Sequence, residues 1–322
     1  MLTRIIFFTL TLFTQSVFAQ QKIQFDKSPA LPVLLAENMI STGFNERDFA
    51  LSPDGMEVYY TIQSGQGVFQ TILCMKKDRS GSWSKPEVAS FAGRYSDLEP
   101  SFSPDGTKLF FSSNRPLTGT AIKDFDIWVV EKKNNDWSEP RNIGAPVNTP
   151  ANEFYPSVTK SGNLYFTAAY KHAVSKEDIW MARWENEKYS EAVLLDTAIN
   201  SKMYEFNAYV SPGEELIIFT AYGRKDDKGG GDLYMSMKDA SGKWMPAKNL
   251  SFLNSDKLDY CPFVSFDKKS LFFTSERHSL KSSYLQAAVK AAELTRSLNG
   301  PQNGLGDIYW VDFNHVIDSY RK

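Results

Sequence analysis

Five carboxylates stand at one recurring place in this chain: Glu46, Asp97, Glu153, Glu205 and Asp259. Each lies six residues before the Ser or Thr of a turn-like segment, at Ser52, Ser103, Thr159, Ser211 and Ser265. A second column is cationic, with Arg115, Lys171, Arg224 and Arg277, and with Gln63 near the matching place in the first repeat. A third is acidic again: Asp126, Asp178, Asp232 and Asp307. Such a set can brace a repeat, because an acid beside a turn accepts backbone N–H groups and pairs with a neighbouring cation. It can form a charged face that recognises a partner. A carboxylate ring can in principle hold Ca²⁺, but calcium needs about six to eight oxygens at short range, and a ring spread over five repeats is wide for that. Two carboxylates can serve as glycosidase acid and base. Repetition favours the brace, since a catalytic pair or a ligand contact has no need to recur. The recognition reading takes as partner-binding residues the five acids of the first column, the four cations and His278, which follows the last cation.

Other reactive types are sparse. The histidines are His172, His278 and His315, with no His-x-His or His-x-x-x-His spacing, so no metal site is expected. No Gly-x-Ser-x-Gly elbow occurs. Gly229–Gly231 is followed by no Lys-Ser or Lys-Thr and reads as a loop, not a phosphate cradle. No catalytic residue and no cofactor are expected. Cys74 and Cys261 fall on different strands of neighbouring repeats and are expected to be free thiols. Net charge is −2, which argues against a nucleic-acid partner.

The elements that must carry these columns are β-strands. The segment Asp97-Leu-Glu-Pro-Ser-Phe-Ser-Pro-Asp-Gly106 is followed by Leu109-Phe-Phe-Ser-Ser113, then Asp126-Ile-Trp128, then Trp137-Ser-Glu-Pro140. Its turn recurs at positions 54, 105, 161, 213 and 267. Steps of a little over fifty residues suit a propeller blade. Pro presets φ and Gly accepts a positive φ, so Ser-Pro-Asp-Gly predicts a tight turn between the first two strands. A third strand opens at Asp-Ile/Leu-aromatic, except in the first repeat, which has Thr71-Ile-Leu73. A fourth is expected to start at Trp83, Trp137, Tyr189 and Trp244, with these rings packed between blades. No fifth Trp-x-x-Pro follows Asp307–Val311, and Leu31–Ala36 reads as the missing outer strand of blade 5, covering an edge and closing the ring. The fold class is therefore all-β: a five-bladed propeller of four-stranded blades.

The wording Glu-Pro-Ser-Phe-Ser-Pro-Asp-Gly, then Phe-Phe-Ser-Ser-Asn-Arg, then Asp-Ile-Trp resembles the WD40-like repeat of TolB-type periplasmic propellers, over about residues 31–313. Asn303-Gly-Leu-Gly-Asp-Ile-Tyr309 is similar to stand-alone members from Bacteroidetes-like envelopes. The resemblance implies the fold. It implies scaffold and binding roles as readily as polysaccharide cleavage.

Residues 1–19 read as a secretory signal peptide, with Arg4, an apolar run over Ile5–Phe13 and a Val-Phe-Ala19 cleavage site. Residues 20–322 then form one propeller domain, periplasmic or secreted, with no later segment apolar enough to span a membrane. Blade 5 carries an insertion, about 279–300, whose Leu280, Tyr284, Ala288, Ala291, Leu294 and Leu298 predict a helix from Ser279 to Leu298 ended by Asn299-Gly-Pro301. It is expected over the charged face, as a lid or docking arm or as a helix packed on the rim. The function expected is a non-enzymatic exported binding or scaffold protein for an envelope protein or glycan; the alternative is a carbohydrate-active enzyme using the same face.

Overall fold

The computed structural model describes Ile23, Phe25 and residues 27–321, apart from Asn135. The expected signal peptide lies outside these residues. Five antiparallel four-stranded sheets follow one another along the chain. Blade 2 shows the pattern: Asp97–Phe102 is innermost, then Lys108–Ser113, Asp126–Lys133 and the short outer strand Arg141–Asn142. Blade 5 runs Asp259–Val264, Ser270–Ser275 and Asp307–Asp312, and its outer strand is Val33–Leu34 from the start of the described chain. Val33 pairs with Trp310 and Leu34 with Tyr309, so the closure read from the sequence is present.

The turns follow their chemistry. The Ser52 and Ser103 hydroxyls donate to Asp54 and Asp105 at 2.6 Å, and Gly55 and Gly106 take φ of 70° and 71°. The outer strands depart from expectation. They have two residues each, and in blades 1 to 4 they begin four residues beyond the aromatic, as with Trp83 before Glu87–Val88. The aromatic belongs instead to a bridge or two-residue strand paired at or just beyond the end of the third strand, and its ring fills the junction with the blade before. Trp137 Nε1 donates to Tyr59 Oη of blade 1 at 2.7 Å.

Apolar side chains of adjacent blades share cores. One such cluster joins Ala50, Tyr59 and Ile72 of blade 1 to Phe102, Leu109 and Phe111 of blade 2. Burial between blades, not within one, thus supplies the hydrophobic drive, as radial repetition requires.

Two helices stand outside the repeats. α1 covers Ala291–Asn299, so the helix predicted from Ser279 starts twelve residues late. Leu285 is 94% exposed, and no residue of α1 is buried. Residues 279–290, of which Leu280, Tyr284 and Val289 are half-buried and the rest exposed, form no helix. The loop is anchored at its end instead: a Cβ on Gly43 would come within 2.1 Å of the Asn299 carbonyl oxygen, and Asn303 Nδ2 donates to the Gly43 carbonyl at 3.1 Å. α2, Phe313–Arg321, was not anticipated. Phe313, Val316 and Tyr320 bury one stripe against blades 4 and 5. Their three- and four-residue spacing, with Ile317, was the signal for it.

Candidate functional site

The first acidic column sits at the start of each innermost strand, and all five side chains are buried, at 0–1% exposure. Each accepts from the residue four positions earlier. Thr149 and Ser201 hydroxyls donate to Glu153 and Glu205 at 2.7 and 2.6 Å, the Thr42 and Gly93 amides to Glu46 and Asp97 at 3.0 and 3.2 Å, and the Ser255 hydroxyl to Asp259 at 2.8 Å. In three blades an arginine completes the lock. Arg115, Arg224 and Arg277 reach Asp97, Glu205 and Asp259 at 2.5, 2.8 and 2.7 Å. Each also donates to a carbonyl of the loop entering the blade: Phe91, Ile199 and Leu253.

Blades 1 and 3 lack that arginine. Lys171, placed in the cationic column by sequence, is exposed and does not meet Glu153, and the neighbouring Tyr170 occupies the space beside that carboxyl. Burial therefore pushes the Glu46 carboxyl up to about 7 and that of Glu153 up to about 8. His172 and His278 are exposed on the same end of the blades, His278 in an isolated bridge with Asn303. The third column is also tied internally: Asn142 and Asn249 amides donate to Asp126 and Asp232 at 2.6 and 2.7 Å, and the Ser175 and Gln302 amide N–H groups to Asp178 and Asp307 at 3.0 and 2.6 Å. Cys74 and Cys261 are free thiols.

Two residues beyond each acid lies a column that the sequence reading did not single out: Asp48, Glu99, Tyr155, Asn207 and Cys261. All five have positive φ, between 49° and 61°, although none is glycine. A left-handed backbone is uncommon for such residues, and five at one repeat position mark a built feature. Each sits in a bulge of the innermost strand, where the register with the next strand shifts. Three of the bulges are held from the preceding blade: the amides of Asp48, Glu99 and Asn207 donate to the hydroxyls of Thr274, Thr61 and Thr167. The amide of Tyr155 donates instead to the Glu99 carboxylate, at 2.7 Å.

The five side chains meet on the axis and are 0–8% exposed. The Cys261 thiol donates to Asp48 at 2.7 Å, and Asn207 Nδ2 donates to Glu99 at 3.3 Å. The Tyr155 hydroxyl donates to the Pro262 carbonyl at 3.0 Å. Arg47 crosses above them: its Nε donates to both oxygens of Asp48 at 2.9 Å, its Nη2 reaches Glu99 at 3.2 Å, and its guanidinium lies 5.1 Å from the Tyr260 ring centroid. Burial and the charge of Asp48 push Glu99 up to about 7, against the pull of Arg47. Burial likewise pushes the Cys261 thiol well up.

This layer floors a funnel of about 280 Å³ opening toward the acidic-column end. Its wall alternates rings (Phe125, Phe154, Phe206, Tyr260) with polar groups (Gln63, Gln70, Glu177). Gln70 is 8% exposed, and its amide oxygen has no hydrogen-bond partner among the described residues. Burial raises Glu177 too, with Arg47 opposing. Below the floor a cavity of about 20 Å³ lies among Phe49, Tyr155, Tyr209 and Phe263. The signal in the sequence was irregularity: the column two places after the recurring acid holds five different residue types. Among the described residues, no cluster of His, Cys, Asp and Glu suits a metal ion, and no helix is long and apolar enough to cross a membrane.

No family model and no curated protein matches the chain. Solved structures do. A glycoside hydrolase aligns with TM-score 0.50 at 10% identity, over 88% of this chain and 90% of its own. A putative TolB from Agrobacterium tumefaciens gives 0.48 at 14%, over 84% and 91%. TolB from Acinetobacter baumannii gives 0.46 at 13%, over 83% of this chain and 54% of that one, so this chain spans about half its length. At these identities the likeness is one of fold alone.

Proposed function

We propose that the protein is a glycan-binding propeller, and that one sugar unit of the ligand enters the axial funnel. The observation that carries this reading is the composition of the funnel wall, in which the rings of Phe125, Phe154, Phe206 and Tyr260 alternate with the polar groups of Gln63, Gln70 and Glu177. This wall fits a sugar guest. A sugar ring has apolar C–H faces and a rim of hydroxyls; the funnel alternates aromatic faces with groups that donate and accept. The expected export to the periplasm or beyond belongs to this reading, since it brings the funnel to envelope glycans. The acids and arginines of the first two columns hold the funnel wall. Lys171 and His278, exposed at the same end, are the members of the partner-binding set that a longer glycan, or a protein carrying it, would touch.

A hydrolytic version is favoured by one observation: Glu99, pushed up to about 7, keeps a proton near neutrality as a glycosidase acid must. Its oxygens, however, already accept from Arg47, Asn207, Ser112 and the Tyr155 amide. An acid so committed has no proton directed at a guest, and binding without turnover is the better reading.

The test is a glycan array probed with residues 20–322, beside Gln70→Leu and Glu99→Gln variants shown folded by circular dichroism. Retention of a defined glycan, lost in Gln70→Leu, is the expected result. Equal retention by Gln70→Leu, or no glycan retained at all, would overturn it. Release of reducing ends by wild type but not by Glu99→Gln would replace binding with hydrolysis.

A further inference from the structure

The junctions between blades are filled by aromatic or helical plugs. At blades 5 and 1, Phe25 sets its edge against Trp83 and Phe272, each 5.7 Å away. At blades 1 and 2 the plug is Trp137. Trp244 packs into the core shared by blades 3 and 4, and α2 covers blades 4 and 5. At blades 2 and 3 the corresponding ring is Tyr189, in the hairpin Trp184–Glu185 with Lys188–Tyr189, which packs against the shared core and meets the Trp184 ring edge-on at 4.8 Å. A cavity of about 410 Å³ is left open at the turn end of the blades, away from the funnel.

One side of it is Phe110, Val129 and Ile143 of blade 2; the other is Val158, Trp184 and Tyr189 of blade 3. The position of Trp184 depends on Gly162, where a Cβ would stand 2.9 Å from the indole. The rim is basic. Lys108 and Arg141 share Glu131 at 3.9 and 3.6 Å, but exposed Lys160 and Lys188 have no acidic partner within 4.0 Å among the described residues. Of the lining acids, Asp105 is held by Ser103 and Thr107 within its own turn, which leaves Glu187.

We propose that this cavity is a second binding site, for an amphiphilic anion with an apolar body between the blades and its head at Lys160 and Lys188. Its volume lies in the range of small-molecule pockets, about 300–1,000 Å³. An apolar wall gains from burying a chain or ring, and two unpaired cations at the mouth reward a carboxylate or phosphate there.

The experiment is calorimetric titration of residues 20–322 with dodecanoate, dodecyl phosphate and dodecyl maltoside below their micelle-forming concentrations. One saturable site for the anions is expected, with the maltoside weaker by roughly tenfold. The ratio of dodecanoate to dodecyl phosphate affinity tells a carboxylate head from a phosphate head. A Lys160→Glu/Lys188→Glu double variant, altered only at exposed positions, should weaken both anions roughly tenfold and leave the maltoside unchanged. Trp184→Ala, whose hairpin stands outside the blade core, should weaken all three. Equal affinity for the maltoside, indifference to the double variant, or no saturable binding to wild type would each overturn the proposal.

Discussion

The two rings at the head of the innermost strands are two residues apart in sequence and opposite in character. In the outer ring, blade after blade repeats one arrangement: a buried acid, a donor four residues earlier and, in three blades, an arginine. In the inner ring the backbone repeats, with five positive φ values, while the side chains are Asp, Glu, Tyr, Asn and Cys. A brace must be the same at every junction because every junction bears the same load. A binding site on the axis sees all five blades at once and needs each to contribute something different. On the proposed reading, repetition of residue type in this chain marks structure, and the inner ring, where the backbone repeats and the side chains differ, is where the ligand is met.

Removing an outer-ring arginine should give the largest effect. Arg115→Ala leaves Asp97 buried without its cation, and the loss of one partner of a buried pair costs about 3–5 kcal/mol. Urea unfolding of the variant against wild type measures it. A cost below about 1 kcal/mol would remove the bracing role and break the contrast.

The next effect is on pH. The outer ring is uneven, because Glu46 and Glu153 have no arginine and their folded carboxyls are raised to about 7 and about 8. The folded state then holds protons that the unfolded chain has given up above about pH 4.5. The stabilisation is full below that point and is lost as pH rises through 7 to 8. Thermal unfolding should show stability falling from pH 6 to pH 9, by on the order of 2 kcal/mol from Glu153 alone. Glu153→Gln should flatten that slope, and an unchanged slope would move its cause elsewhere.

In the inner ring, Glu99→Gln keeps the shape but weakens its bonds to Arg47, Ser112 and the Tyr155 amide. It should cost about 1–3 kcal/mol, less than Arg115→Ala, while altering what the funnel binds. A cost above that of Arg115→Ala would make the inner ring the principal brace.

The blade order, the turns and the closing strand were legible because each follows from a local rule that recurs: Pro-Asp-Gly for the turn, a period-2 apolar run for the strand, a missing outer strand for the closure. The funnel floor was not, since no local rule announces a bulge at Glu99 or Tyr155. Those residues meet only when five blades close, and Cys261 reaches Asp48 across 213 positions of sequence. The insertion failed in the other direction. The spacing of Leu280, Tyr284 and Ala288 is that of a helix, but periodicity records which face would be buried and not whether a surface is there to receive it.

The smallest prediction separates column from contact. By sequence Lys171 is the equal of Arg115, since each follows the second strand of its blade. In the structure it is exposed, and Tyr170 stands beside the Glu153 carboxyl in its place. The stem of an exposed lysine makes few contacts to lose, and its charge is screened by water. Lys171→Ala should therefore change unfolding free energy by no more than about 0.5 kcal/mol. Tyr170→Phe, by contrast, leaves Glu153 without that neighbouring hydroxyl and should cost about 1 kcal/mol. If Lys171→Ala proved the costlier of the two, the lysine would turn inward in solution to pair with Glu153, and the raised carboxyl and its pH slope would vanish with that pairing.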